Sequence, residues 1–195
     1  VESLRALGDL DEALHAATAA VEKAQQTLSA EYESIDAFAD CLELRASVLR
    51  ELGHYEPARD DYRHAIDQLD GRLDRLDQLG RLYAGLGSAY DSLENVEQAE
   101  AAWKNSLDCF ERHDPPLLLD VAAMANNLGA LRKAAGDLDS AESYYLRALE
   151  ILYSQLGKDH EETAAVSNNL GALYLAAGFG EQAREMHMMA LEARR

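Results

Sequence analysis

Small and large apolar residues recur along the chain in a pattern with a period of 42 residues. The segment NNLGALRKAAGDLDSAESYYLRALEIL, residues 126–152, returns as NNLGALYLAAGFGEQAREMHMMALEAR at residues 168–194. A shift of the first segment back by the same period brings Leu86, Gly87 and Leu107 into register with it. Because a fixed period of this length is typical of repeat architectures, the pattern predicts a repeat protein.

Two columns of small residues within each repeat predict a pair of closely packed helices. The first column lies in the first helix and holds Gly87, Gly129 and Gly171. The second column lies in the second helix and holds Ala13, Ala58, Ala99, Ala141 and Ala183. A large-aromatic column holds Tyr62, Trp103 and Tyr145, with His187 in the last repeat. These columns predict helical hairpins that bury their apolar faces only by stacking, so the predicted fold class is all-α.

Turn and cap residues predict where the helices end and begin. A glycine with positive φ is expected at the head of each hairpin turn, and the glycines in question are Gly8, Gly53, Gly136 and Gly178. Glu94 stands at the corresponding place of the third repeat. Asp139 with Glu142 predicts a capping box. Asp11 is expected to cap a helix that extends to about Glu33.

The predicted domain organisation is one solenoid over residues 1–195. Its expected repeats cover residues 1–33 (a partial unit), 34–70, 72–112, 117–156 and 160–195. The chain begins within the predicted helix of residues 1–7, so we expect it to be a fragment of a larger protein. Arg45 stands in the first-helix position that holds leucine in the other repeats, at Leu86, Leu128 and Leu170.

The small-small-aromatic-small pattern resembles the tetratricopeptide repeat over essentially the whole chain. The stretch LGKDHEETAAVSNNLG, residues 156–171, is similar to the 42-residue repeats of kinesin light chains and many bacterial relatives. The resemblance implies a right-handed superhelical solenoid of about four and a half repeats. It also implies a scaffold for protein–protein interaction, in which the first helix of each hairpin lines a concave groove that takes a peptide or helix of a partner.

Paired asparagines are the candidate binding residues that this resemblance implies. Asn127 and Asn169 would bond the backbone of an extended peptide, with Asn126 and Asn168 beside them. An amide both donates and accepts hydrogen bonds, so it matches a peptide group whatever the peptide's sequence. The alternative is that these side chains bond the neighbouring repeat and stiffen the stack.

Two cations in the predicted groove are further candidates, Arg50 and Lys133. Tetratricopeptide repeats that bind a terminal carboxylate use several lysines and arginines, whereas here the two candidates lie two repeats apart. We therefore do not expect capture of an acidic carboxyl terminus. The ligand expected instead is an extended or helical segment of modest charge.

Charge and composition narrow the class of partner. The formal net charge is −18, with −12 over residues 1–98 and −6 over residues 99–195. No basic face is available to neutralise phosphates, so we expect neither nucleic acid nor an anionic membrane as partner. No apolar run approaches the ~18 residues of a membrane helix. Cys41 and Cys109 are expected to be small core residues in a reducing compartment, which favours the cytoplasm.

Catalytic and metal-binding patterns are missing from the sequence. None of the six histidines forms an H-E-x-x-H pair or a Cys/His cluster with zinc spacing. We therefore expect no enzyme activity, no cofactor and no metal site. A second possibility is a sensing arm that controls an attached signalling or enzymatic domain. The cluster from Met186 to Met189 is expected either to be buried by a following repeat or to bind a partner.

Overall fold

The computed structural model describes residues 9–28 and 32–193, and within them it contains helices and no strands. The α-helices are α1 (Leu10–Gln26), α2 (Tyr32–Glu51), α3 (Tyr55–Gln68), α4 (Leu76–Ser92), α5 (Val96–Arg112), α6 (Leu118–Ala134), α7 (Leu138–Gln155), α8 (Glu161–Ala176) and α9 (Gly180–Glu192). A short 3₁₀ helix, Leu73–Arg75, precedes α4. The predicted all-α class is confirmed.

The chain forms two compact units. Unit 1 is Val1–Cys109 and unit 2 is Phe110–Arg195, and α5 runs from one into the other. Within each unit, consecutive helices pack as hairpins: α2 against α3 in unit 1, and α6 against α7 and α8 against α9 in unit 2. That the repeats continue as a single solenoid stays a prediction.

Each unit has its own apolar core. In unit 1 the buried residues include Phe38, Leu42, Ala46, Tyr62, Leu82 and Leu86. In unit 2 they include Tyr145, Leu149, Leu152, Val166, Leu170 and Leu173. Every member of the predicted alanine column is buried, from Ala13 at 0 % exposure to Ala183 at 3 %. The repeating columns therefore locate the cores correctly.

The aromatic column packs directly on the glycine column. A Cβ atom placed on Gly129 would lie 2.9 Å from Cδ1 of Tyr145, and one on Gly171 would lie 2.8 Å from Cε1 of His187. Real Cβ atoms do not approach other heavy atoms so closely, so the ring occupies the space that a side chain would need. The glycines of the first helices are therefore required for the close approach of the second.

The hairpin turns share one hydrogen-bond pattern. Gly53, Gly136 and Gly178 have φ of 80°, 81° and 84°. In each turn, the N–H of the residue after the glycine donates to a carbonyl at the end of the preceding helix, such as Asp137 N to Arg132 O at 3.0 Å. Glu94 adopts the same left-handed conformation with φ 59°. The predicted turns within the described residues are confirmed, and glutamate holds the strained position in one of them.

The predicted caps are wrong by two residues. The side chain of Asp137 caps α7 by accepting from the N–H of Ser140, and the side chain of Asp9, not Asp11, caps α1 in the same way. The hydrogen bond to Ser140 lowers the pKa of the Asp137 carboxyl. In α7 the residue after the left-handed Gly136 is itself the cap, so the helix begins at Leu138, two residues earlier than a cap at Asp139 would place it.

Two other predictions about local structure are corrected. The helix that was predicted to reach Glu33 ends at Gln26, and the next begins at Tyr32 instead of residue 34. Glu142 has no capping role, since it accepts a hydrogen bond of 2.7 Å from the hydroxyl of Tyr174. Burial and this bond raise the pKa of Tyr174 to about 12. The predicted helix of residues 1–7 and Gly8 lie outside the described residues.

An ion pair explains the exceptional Arg45. Its Nε and one terminal nitrogen donate to the two carboxylate oxygens of Asp61, both at 2.6 Å. The Asp61 side chain is only 10 % exposed and that of Arg45 is 23 % exposed. The hydrogen bond to Asp61 raises the pKa of Arg45 further above its ordinary value. A bidentate and mostly buried ion pair between Arg45 and Asp61 thus occupies the position that leucine holds in the other repeats.

Candidate functional site

The candidate site is a cleft between α6 and α8, the first helices of the two hairpins in unit 2. These helices contact each other and enclose a cavity of about 180 Å³. The lining residues are Ala122, Ala123, Asn126, Leu152, Glu162, Ala165 and Val166. The alanines on both helices, Ala122 and Ala123 on α6 and Ala165 on α8, leave this space open.

The cavity has an apolar floor and a partly polar rim. Ala122, Leu152 and Val166 form the floor and are 1 %, 2 % and 4 % exposed. The methyl group of Ala165 and the carboxylate of Glu162 are exposed. The Glu162 carboxylate has no ion pair or hydrogen bond with any residue that the structure describes. The cleft therefore offers apolar surface together with one unpaired negative charge.

The four candidate asparagines are all half-buried, and the structure brings two of them together. Nδ2 of Asn169 donates to Oδ1 of Asn126 across the cleft at 2.8 Å. Asn168 contacts its own hairpin, where its Oδ1 lies 3.1 Å from Nδ1 of His187. Asn127 makes no hydrogen bond within residues 9–28 and 32–193. Asn126 thus links α6 to α8 through Asn169, and the amide of its neighbour Asn127 has no hydrogen bond among the described residues.

The two candidate cations lie in different units. Lys133 is half-buried on α6, on the same helix as Asn126 and Asn127. Arg50 lies on α2 in unit 1 with its guanidinium near the hydroxyl of Tyr62, and its buried Nε has no hydrogen-bond partner among the described residues. Burial raises the pKa of that hydroxyl, and the Arg50 guanidinium opposes the rise. Arg50 therefore lies against the core of its own hairpin.

A polar network occupies the corresponding face of unit 1, between α2 and α4. Nε2 of Gln78 donates to Asp40 at 2.6 Å and to Glu43 at 3.3 Å. Arg81 pairs with Glu43 at 3.1 Å and with Asp77 at 3.2 Å. Gln78 is only 2 % exposed. Sequence reasoning missed this network, although the acidic excess of residues 1–98 was its one visible sign.

A second cluster of charges lies at the start of the same two helices. Asp36, whose side chain is 13 % exposed, pairs with both Arg72 and Arg75. Arg72 also pairs with Asp74 and lies 4.2 Å from the ring centroid of Tyr32. Many of the acidic groups on this face are thus already neutralised by arginines of the chain itself.

Among residues 9–28 and 32–193 there is no group of three or more His, Cys, Asp or Glu side chains placed to hold a metal ion. Within those residues no helix combines the length and the apolar character needed to cross a membrane.

Two models of the tetratricopeptide repeat family match the chain, one over residues 120–195 and the other over residues 39–68. These ranges coincide with the hairpins of unit 2 and with the α2–α3 hairpin of unit 1. The chain belongs to the tetratricopeptide repeat family. Repeats of this family are generally protein–protein interaction scaffolds, and their fold is typically not enzymatic.

Solved tetratricopeptide repeat structures share the fold of the chain. BtubC (BKLC) from P. vanneervenii is 26 % identical, with a TM-score of 0.80 over 95 % of this chain and 73 % of that one. A second structure contains the nearly identical TPR-like repeats of a Podosopora anserina kinesin light chain. Its sequence is 17 % identical to this chain and its TM-score is 0.77, and the match covers 99 % of this chain and 90 % of that one.

MamA is similar in fold as well. Its identity is 17 % and its TM-score 0.68, and the likeness covers 98 % of this chain and 92 % of that one. No curated protein sequence matches the chain significantly. At these identities the P. anserina and MamA structures support the fold alone, so the function has to be argued from the cleft itself.

Proposed function

We propose that this chain is a protein-interaction scaffold that binds an extended peptide segment of a partner in the cleft between α6 and α8. The observation that carries the proposal is a combination of two features. Small side chains let a peptide backbone approach the helices, and nearby amide groups still have donors and acceptors without a hydrogen bond. Ala123 and Ala165 supply the open surface and Asn126 lines it, while further amides are supplied by Asn169, which bonds Asn126, and by Asn127, the next residue on α6.

The hydrogen-bond geometry supports backbone recognition. The bond from Asn169 Nδ2 to Asn126 Oδ1 leaves Nδ2 of Asn126 as a donor and Oδ1 of Asn169 as an acceptor. Asn127 keeps both of its functions. A peptide group presents one N–H and one C=O, so the free donors and acceptors of the cleft complement it in any sequence. The bond between the asparagines also reduces the side-chain entropy that binding would have to remove.

The charge distribution favours unit 2 over unit 1 as the peptide site. The corresponding face of unit 1 is covered by the pairs that Gln78 and Arg81 make with Asp40 and Glu43. A ligand on that face would have to displace these pairs, and leaving a partly buried charge without its partner is costly. In unit 2 the face is lined by alanine and asparagine, so a ligand displaces mainly water.

The two candidate cations also differ in whether they lie on the helices of this cleft. Lys133 lies on the helix that carries Asn126 and Asn127, so we propose that it contacts an acidic side chain or a backbone carbonyl of the bound segment. Arg50 lies near Tyr62 within unit 1, so the proposed site does not include it. A single lysine suits a side-chain contact better than capture of a terminal carboxylate, for which a cluster of cations is the usual solution.

The experiment selects ligands for the chain from a random peptide library displayed on phage and then measures their dissociation constants. Asn127→Ala is the informative variant, because Asn127 holds no hydrogen bond that the fold would lose. Loss of one or two hydrogen bonds to the peptide should weaken binding by about twofold to a hundredfold, with an unchanged melting temperature. Asn105→Ala, on the exposed surface of α5, is the matched control and should bind like the parent.

The results separate a binding role from a structural one. Asn169→Ala removes the bond between α6 and α8 and should lower both the melting temperature and the affinity. If the library yields no binder, or if Asn127→Ala binds every selected peptide as tightly as the parent does, the proposed function is wrong.

A further inference from the structure

The repeat symmetry of the chain shows what the cavity between α6 and α8 lacks. Its residues Ala123, Asn126, Glu162 and Ala165 correspond in unit 1 to Asp40, Glu43, Gln78 and Arg81, respectively. In unit 1 these four side chains are bonded to one another across α2 and α4. In unit 2 the aspartate and the arginine are both replaced by alanine. The cavity therefore lies where unit 1 carries the side chains of Asp40 and Arg81, which pair there with Gln78 and Glu43, respectively.

We propose that this cavity receives an arginine side chain of the bound peptide, which takes the place that Arg81 holds in unit 1. This inference rests on the proposed function, and it names the partner chemistry of the same site: an extended segment with an arginine directed between α6 and α8. The occupant is inferred from the chain itself, since Arg81 shows that a guanidinium is compatible with this position between two such helices.

The chemistry of the cavity suits the two parts of an arginine. Ala122, Leu152 and Val166 form an apolar floor against which the aliphatic stem can pack. The unpaired carboxylate of Glu162 at the rim can accept hydrogen bonds from the guanidinium, as Glu43 does from Arg81 in unit 1. The planar guanidinium and its several donors also suit the nearby amides of Asn126 and Asn169. A purely apolar side chain would leave the rim carboxylate without a partner.

The test is an NMR titration of the ¹⁵N-labelled chain with the capped tripeptide Gly-Arg-Gly. Matched tripeptides replace arginine by citrulline, which has the same shape without the charge, or by norleucine, which keeps only an apolar chain. The arginine peptide should shift the backbone amide resonances of α6 and α8 around Ala123 and Ala165. Its affinity should exceed that of the citrulline peptide by about two- to fivefold, as a solvent-accessible ion pair allows.

Two variants and one control locate the effect. Glu162→Gln should abolish the preference for arginine over citrulline, whereas Glu161→Gln, its exposed neighbour on the same helix turn, should leave that preference intact. Ala165→Arg restores the residue that unit 1 carries at this position and should close the cavity, with loss of the resonance shifts. Its melting temperature shows that the variant is folded.

The outcomes distinguish this inference from the proposed function. Equal affinities for the arginine and citrulline peptides, a stronger response to norleucine, or undiminished binding by Ala165→Arg would overturn the arginine pocket. If phage-selected peptides still depend on Asn127 in those cases, the peptide groove stands without the pocket. If neither the tripeptides nor the selected peptides shift resonances of α6 and α8, both proposals fail.

Discussion

The ion pair between Arg45 and Asp61 leads to a specific prediction about stability, because the chain itself contains the alternative to it. At the two corresponding positions the other repeats have Leu86 with Ala102, Leu128 with Tyr144, and Leu170 with Met186. The substitutions Arg45→Leu and Asp61→Ala thus convert the pair into the combination of the third repeat. The double variant keeps the net charge of −18, so a change in overall charge cannot explain its behaviour.

The expected magnitudes follow from burial. Removal of one partner of a buried ion pair costs about 3–5 kcal/mol. Since the Arg45 side chain keeps 23 % exposure and that of Asp61 10 %, we expect a loss at or below the lower end of this range, about 2–3 kcal/mol, for Arg45→Leu. Asp61→Ala should cost less, because the long side chain of arginine can turn its charge to solvent while the short aspartate cannot. The double variant should lie within about 1 kcal/mol of the parent, or above it, because apolar replacement of a buried pair is often neutral or stabilising.

Thermal unfolding followed by the helical circular dichroism signal measures all four proteins. At this chain length 1 kcal/mol corresponds to about 2–4 °C, so Arg45→Leu should melt about 5–10 °C below the parent. The double variant should recover most of that loss. A single Arg45→Leu variant as stable as the parent, or a double variant as unstable as the single one, would show that Arg45 and Asp61 do not stabilise each other as the structure indicates.

Three further substitutions and one control test the turns and the packing of the hairpins. Glu94→Gly should raise the free energy of unfolding by about 0.5–1 kcal/mol, because glycine relieves the positive φ of 59° at a smaller entropic cost; a lower melting temperature would contradict this. Tyr145→Phe should leave the free energy of unfolding unchanged or raise it by up to about 1 kcal/mol, since the buried hydroxyl has no hydrogen-bond partner among the described residues. A clear loss of stability in a denaturant titration would show that the hydroxyl is hydrogen-bonded. Gly129→Ala should cost about 1–3 kcal/mol of stability by overpacking against the ring of Tyr145. Its control is Gly180→Ala, which meets open space in the first turn of α9 and should be neutral or stabilising. Equal effects of the two alanines would refute the close contact of Gly129 with Tyr145.

The sequence alone was sufficient for the repeats, the hairpins and the turns, because these depend on the type of residue at each position. A glycine is needed where φ is positive, and small residues are needed where an aromatic ring lies against a helix, so both leave a periodic trace. Gly53, Gly136 and Gly178 have the predicted conformation, and Glu94 stands in for the fourth glycine. The resemblance to tetratricopeptide repeats, drawn from the same columns, is confirmed.

The partners of the polar side chains were decided only by the tertiary structure. The sequence identified Asn126, Asn127, Asn168 and Asn169 but did not show that Asn169 bonds Asn126 while Asn127 stays uncommitted. Each of these amides can donate and accept, so the choice depends on the rotation and stagger of α6 and α8 and not on the spacing of residues. The same holds for the pair of Arg45 with Asp61 and for the network of Gln78 and Arg81. The columns of small and large residues predict which faces of the helices pack together. Hydrogen bonds also require particular distances and angles, which only the assembled helices provide.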